Sequence, residues 1–299
     1  MNILFCSDPL NCKKVDSEWA HEYRLAKQHN MNIILIDYDA YKNSGLAKEI
    51  RVSEKPEVMQ SILYRGWMIP VELYKKLYLD LLDMNFCLIN SPEEYEHCYY
   101  LPRSYELIKD KTPLSVVYPQ STLPDDIKLS ELLSPFKNNA IIIKDFVKSQ
   151  KHYWNEACFI PDASDLMHVK KVVNTFLEKQ GDNFQGGLVF REFVELAPVG
   201  VHPKSQMPLT AEYRIFVLNK KPITCTEYWI EVDYDNDERV NLENFEETFA
   251  QVRSNFFTVD IAKMKNGEWI IMELGDGQVA EYLGEVGLDQ FYEALSKVV

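Results

Sequence analysis

Short apolar runs alternate with helical patterning over the first ninety residues, and no other feature of the chain constrains its fold as tightly. Ile3, Leu4, Phe5 and Cys6 make one run, and residues 32–37 make a second around Ile33, Ile34, Leu35 and Ile36. Between them, residues 18–29 place Trp19, Tyr23 and Ala26 on one helical face. Uninterrupted apolar strands are what a sheet covered on both faces demands, and strand–helix–strand order favours parallel pairing. Residues 62–65 predict a third strand, 71–84 an amphipathic helix and 86–89 a fourth strand. Ser7-Asp8-Pro9 falls at the C-terminal end of the first strand, where open α/β sheets bind ligands. No G-x-G-x-x-G follows it, which argues against a dinucleotide site.

Asn90-Ser91-Pro92 marks a boundary, because proline and small polar residues interrupt the periodic pattern there. The expected division is therefore 1–90 and 91–299, the second part having subdomains at about 141–190 and about 196–299. Within it, residues 141–147 and 156–160 read as strands flanking a polar loop, 165–179 as a helix and 187–194 as a strand. The final third is strand-rich, over 212–218, 223–231, 255–262 and 268–274, and closes with a helix over 289–298. An acidic run over 227–247 reads as a solvated face.

Composition excludes several functions. The formal net charge of −14 argues against a nucleic-acid partner, which needs a basic surface. No apolar run is long enough to cross a membrane, and the N-terminus lacks the basic and apolar regions of a secretory signal. Six scattered cysteines show neither C-x-x-C nor zinc-like spacing, so a reducing cytoplasm is expected.

The residues that carry chemistry begin at 257–277. Two apolar strands flank Asn266-Gly267, a hairpin turn, with Asp260 in the first strand and Glu273 in the second. Two acids brought together across a sheet repel unless a cation lies between them. Mg²⁺ carrying nucleotide phosphates is such a cation, since it binds through a few carboxylates plus phosphate oxygens and water. Ordinary surface acids on a solvent-facing hairpin are the competing explanation.

Read with its surroundings, this hairpin resembles the ATP-grasp superfamily, in which an Asp on one strand and a Glu on the next hold Mg²⁺ against ATP. Lys144, in Ile141-Ile142-Ile143-Lys144, matches the family lysine that contacts ATP phosphates. Glu192, Phe193, Val194 and Glu195 resemble the hinge that binds adenine through its backbone. Glu212 and Arg214 resemble the E-x-R strand, whose acid reaches ribose and whose arginine reaches phosphate. Either Arg103 or Lys109 occupies the place of the family's first ATP-contacting lysine. The resemblance implies an ATP-grasp fold of two α+β subdomains clasping the nucleotide, preceded by a Rossmann-like domain, thus α/β and α+β together.

Departures from the family pattern are equally specific. Glu-x-Asn after the second metal strand becomes Glu273-Leu274-Gly275, with Asp276 following either as a substitute metal ligand or without that role. Thr258 stands where many ligases have an arginine, and Lys263 is the candidate replacement, similar to a subgroup in which lysine takes over. The usual Gly-rich lid is replaced by Lys148-Ser149-Gln150-Lys151-His152-Tyr153-Trp154, where Lys148 could neutralise phosphate directly. Arg65 either anchors a substrate carboxylate or forms a salt bridge.

The function implied is an ATP- and Mg²⁺-dependent ligase that activates a carboxylate and joins it to an amine. Its partner would be a small molecule or peptide with a free carboxylate, and its oligomeric state, a homodimer included, is left open. A regulatory ATP-binding module and a small-molecule phosphotransferase are the alternatives.

Overall fold

The computed structural model describes residues 1–201, 208–232, 234 and 240–297. Residue 298 of the last expected helix, and residues 233 and 235–239 of the acidic run, lie outside the described residues.

The N-terminal part is built as its sequence dictates. Strands β1 (Asn2–Asp8), β3 (Asn32–Ile36), β5 (Gln60–Arg65) and β6 (Phe86–Leu88) run parallel, in the order β3-β1-β5-β6. The short β4 (Ile50–Arg51) adds antiparallel to β3, and β2 (Asn11–Val15) folds back on β1. Ile3, Leu4, Phe5 and Cys6 are all fully buried, as expected of a central strand covered on both faces. Helices α1 (Ala20–Gln28), α2 (Tyr38–Ser44) and α3 (Val71–Asp83) make the connections. The Asp37 carboxylate caps α2 by accepting from the Ala40 N–H. Tyr74, Leu77 and Leu81 of α3 recur at helical spacing and are buried.

Residues 92–133 hold elements that the apolar pattern does not announce: α4 (Pro92–Tyr99), α5 (Leu101–Ile108), β7 (Ser115–Tyr118) and α6 (Asp126–Leu133). These helices are short, so each shows only two or three periodic apolar positions. They are followed by β8 (Ile141–Lys144), α7 (Trp154–Ala157), β9 (Phe159–Ile160), α8 (Leu166–Gln180) and β10 (Leu188–Glu192). An antiparallel sheet in the order β7-β10-β8-β9 results.

Two strand expectations here need correction. The strand from Ile141 ends at Lys144, because the Asp145 carboxylate accepts the backbone N–H groups of Val147 and Lys148 and turns the chain. Residues 154–157 are helical, and only Phe159–Ile160 is strand; Trp154 stacks on Phe159, which fixes that turn.

Beyond them, β11 (Pro198–Val201) pairs with β12 (Pro208–Thr210). Then β13 (Glu212–Leu218), β14 (Lys221–Glu227), β15 (Phe256–Lys263) and β16 (Trp269–Asp276) form a sheet in the order β14-β13-β15-β16. Helices α9 (Glu246–Gln251) and α10 (Leu288–Ser296) complete the fold. By contacts the chain divides into one unit of Met1–Cys98, Val199–Asp260 and Leu274–Val299, and a second of Tyr99–Pro198 and Ile261–Glu273. The division at 90 expected from the proline boundary is thus replaced by a first unit that the chain leaves and re-enters.

The core of the second unit decides where its cations point. Ile141 and Ile143 of β8, with Leu188 and Phe190 of β10, pack against Leu129 of α6 and Val169, Val173 and Phe176 of α8. Strand alternation then directs Ile142, Lys144, Val189 and Arg191 to the sheet's other face. The register places Lys144 opposite Val189 and Ile142 opposite Arg191, so two cations share that face.

Candidate active site

The first cluster lies in the second unit. Lys144 is buried, at 6% exposure, and its ammonium lies 3.0 Å from Oε2 of the half-exposed Glu273. Arg191, at 3% exposure, donates through Nη2 to the Met272 carbonyl and, at 2.8 Å, to Thr112 Oγ1. Thr112 in turn donates to the Ile271 carbonyl at 2.7 Å, so β16 is clamped at the two residues before Glu273. Burial raises the affinity of Glu273 for a proton, but Lys144, then Lys151 and Arg191, more than reverse this and hold its carboxyl down to about 2. Burial lowers Arg191 to about 10, with Glu273 opposing. Glu273 is thus an anion among cations.

The second cluster belongs to the first unit. Arg214 of β13 grips Asp260 of β15 bidentately, Nε to Oδ1 at 2.8 Å and Nη2 to Oδ2 at 2.7 Å. Its guanidinium also lies 5.1 Å from the Tyr228 ring centre, and Nη1 donates to the Glu281 carbonyl. Strand alternation explains the meeting, since Arg214 and Phe216 share a face of β13 as Phe256 and Asp260 do on β15, and Phe216 stacks on Phe256.

Other expected site residues are placed as follows. The N–H of Glu192 donates to the Leu114 carbonyl and that of Phe193 to the Ala140 carbonyl, so neither amide is available to adenine. Among the hinge residues, Val194 is half-buried and Glu195 is exposed, its carboxylate 3.1 Å from Lys265. Glu212 is buried, accepting from Thr210 and from the Trp229 indole. Lys148 is exposed in the loop organised by Asp145, while Trp154 packs on Phe159 and Phe193 rather than facing water. Lys109 is exposed and paired with Glu106, and Arg103 is exposed on α5. Lys263 is half-buried at the end of β15, its carbonyl accepting from the Ala197 N–H.

Two expectations are overturned. Arg65 is fully buried and no substrate anchor: it forms a bidentate pair with Glu22 at 2.8 Å and donates to the carbonyls of Gly277 and Ala280. Desolvation opposes its charge, but Glu22 outweighs it and raises the guanidinium pKa. Asp276 is 1% exposed and no metal ligand: Oδ2 accepts from Asn90 at 2.6 Å and Oδ1 from the Gln278 N–H at 2.9 Å. Asn90, itself fully buried, also bonds the Phe256 carbonyl and N–H, so Asp276 closes an interior polar network.

Burial pushes the Asp276 carboxyl up to about 7, against the opposing hydrogen bonds from Asn90 and Gln278. The unfolded chain releases this proton near 3.8 and the folded chain near 7. Between those values the native state binds more protons, so this group's contribution to stability falls as pH rises and is level above about 7. Asp276→Asn should abolish that slope, a difference on the order of 4 kcal/mol across the window. Urea unfolding at pH 4, 5.5 and 7.5 measures it, and parallel pH profiles for both proteins would refute the assignment.

Arg191 is the residue that sequence reading overlooked. Its signal was present: a cation inside an apolar strand, at the parity that shares a face with Lys144. No helix among the described residues is long and apolar enough to cross a membrane, and among the same residues no group of three or more His, Cys, Asp or Glu is placed to hold a metal.

Residues 135–295 match a family model described as an ATP-grasp domain, clade family 3. No curated protein matches the chain. Among solved structures, the chain is similar to the ATP-grasp ligase PsnB complexed with minimal precursor, Mg and ADP, at 11% identity, TM-score 0.56, over 99% of this chain and 98% of that one. The D-cycloserine synthetase DcsG is similar at 9% identity and TM-score 0.60, over 99% of each chain. The macrocyclase MdnC of Microcystis aeruginosa MRC, bound with precursor peptide MdnA, is similar at 11% identity and TM-score 0.57, again over 99% of each. At these identities the likeness shows a common fold.

Proposed function

The chain belongs to the ATP-grasp domain family whose model it matches, and from that membership we propose that it is an ATP-dependent carboxylate–amine ligase. One observation carries the reading: both acids expected at the metal, Asp260 and Glu273, are ion-paired with the cations expected at the phosphates, Arg214 and Lys144. Acids so paired fit a divalent cation, because each already holds positive charge within hydrogen-bond distance. Mg²⁺ needs only a carboxylate or two alongside phosphate oxygens and water, so a larger protein cluster is not required.

In this reading Asp260 and Glu273 hold Mg²⁺, which when bound offsets negative charge on the phosphates. Lys144 and Arg214 bind phosphate oxygens through charge-assisted hydrogen bonds. The Val194 backbone is the hinge group left to meet adenine, and Lys148 reaches over the phosphates. A substrate carboxylate attacks the γ-phosphorus in line, ADP leaves, and an acyl phosphate forms. An amine then attacks the acyl carbon and phosphate departs, giving an amide. The protein's part is to position the reactants and to stabilise charge, so it needs no covalent nucleophile. The substrate is a small molecule or peptide with a free carboxylate. Release of ADP and phosphate against a panel of amino acids and peptides tests the reading, and release of AMP, or of neither product, would refute it.

Lys263 takes the place of the ligases' arginine in this proposal, stabilising charge that develops during transfer. Such an interaction is stronger in the transition state, so Lys263→Met should lower kcat by about 10²–10³ while changing KM little. Alternation along β15 puts Lys263 and Asp260 at opposite parities, which is the argument against it. Steady-state kinetics decide, and a kcat within a few-fold of the parent protein would leave Lys263 a surface residue.

A further inference from the structure

Each acid assigned to the metal is neutralised, within its own unit, by a cation assigned to the nucleotide. Lys144 holds Glu273 at 3.0 Å, and Arg214 holds both oxygens of Asp260. These cations have little freedom to stand aside, because Lys144 is only 6% exposed and the Arg214 side chain 12%. Around Glu273 the balance is lopsided, with Lys144, Lys151 and Arg191 all acting on one carboxylate. A divalent cation approaching Glu273 alone therefore meets net positive charge and must displace an ion pair. Phosphate reverses both terms, since it attracts the cations away from the acids and supplies negative charge of its own.

We propose that Lys144 and Arg214 are built-in counter-ions standing in for the metal on Glu273 and Asp260, which they release only to the phosphates of an incoming nucleotide. Divalent metal alone then binds weakly, and metal and nucleotide bind with strong positive linkage. That linkage is reciprocal, as any coupling of two binding equilibria must be. Partner exchange also keeps each acid and each cation paired in both states, so neither is left with an uncompensated, partly buried charge. The inference rests on the ligase reading of this site.

The test is Mn²⁺ binding to the full chain, followed by the paramagnetic signal of free Mn²⁺ with and without a non-hydrolysable ATP analogue, allowing for metal carried by the analogue itself. The parent protein should bind Mn²⁺ weakly alone and much more tightly with the analogue. Lys144→Met should bind Mn²⁺ alone about ten- to a hundredfold more tightly than the parent, the range in which a lost charge-assisted competitor falls. Arg214→Gln should change in the same direction by freeing Asp260, and it decides alone if the lysine variant does not fold. A gain in either variant supports the exchange. Nucleotide-free affinity at or below the parent's in every folded variant would overturn it, as would equal affinity of the parent with and without analogue. Glu273→Gln separates the two levels. If it binds Mn²⁺ with analogue as the parent does, the metal assignment fails and the exchange with it. If it loses that binding while the lysine and arginine variants gain nothing, only the exchange fails.

Discussion

Asp260→Asn and Glu273→Gln should each lower ATP turnover by at least about 10²-fold, since each removes a carboxylate that positions the metal. The expected effect on folding is separate and modest. Relief of repulsion between two acids would suggest a gain in stability, but the structure gives each acid a cationic partner, Arg214 or Lys144. Removing either acid leaves that partner short of its counter-ion, at a cost of about 1–3 kcal/mol. Each variant should therefore unfold cooperatively at a slightly lower urea concentration and still bind nucleotide, with catalysis lost. Circular dichroism and turnover measured on the same preparations give both quantities. Activity near that of the parent protein in either variant rules out the metal role.

Arg65→Met should be the most destabilising single change considered. It leaves Glu22 in the interior without its guanidinium partner and orphans the carbonyls of Gly277 and Ala280. Breaking a buried ion pair from one side costs about 3–5 kcal/mol. Tyr292 still donates to Glu22 at 2.6 Å, which offsets a part of that loss but supplies no charge. Arg65→Lys keeps the charge without the bidentate geometry and should recover only a fraction of the stability. Denaturant unfolding checks the ranking. A raised KM with unchanged stability would restore Arg65 to substrate binding.

The contrast between Arg65 and Lys144 shows where sequence reading succeeds. Both are single cations at the end of apolar strands, and both were assigned to ligands. Lys144 sits in a strand whose alternate residues, Ile141 and Ile143, pack into a helix-covered core, so parity alone sends it to the open face. Arg65 ends a strand buried on both faces, where parity offers no route to solvent and the charge must find its partner inside. That partner, Glu22, lies 43 residues away, and no local pattern announces it.

The sequence by itself determined the parallel N-terminal sheet, the hairpin bearing Asp260 and Glu273, and the family, because periodicity, turn chemistry and motif order are local properties of the chain. Tertiary structure alone decided which charges are chemical and which are structural. Asp276 and Glu273 are three residues apart on one strand, yet the first is enclosed by Asn90 and Gln278 and the second is surrounded by Lys144, Lys151 and Arg191. Those partners come from distant parts of the chain, and a carboxylate's role is set by what desolvates and neutralises it, which only the packed fold supplies.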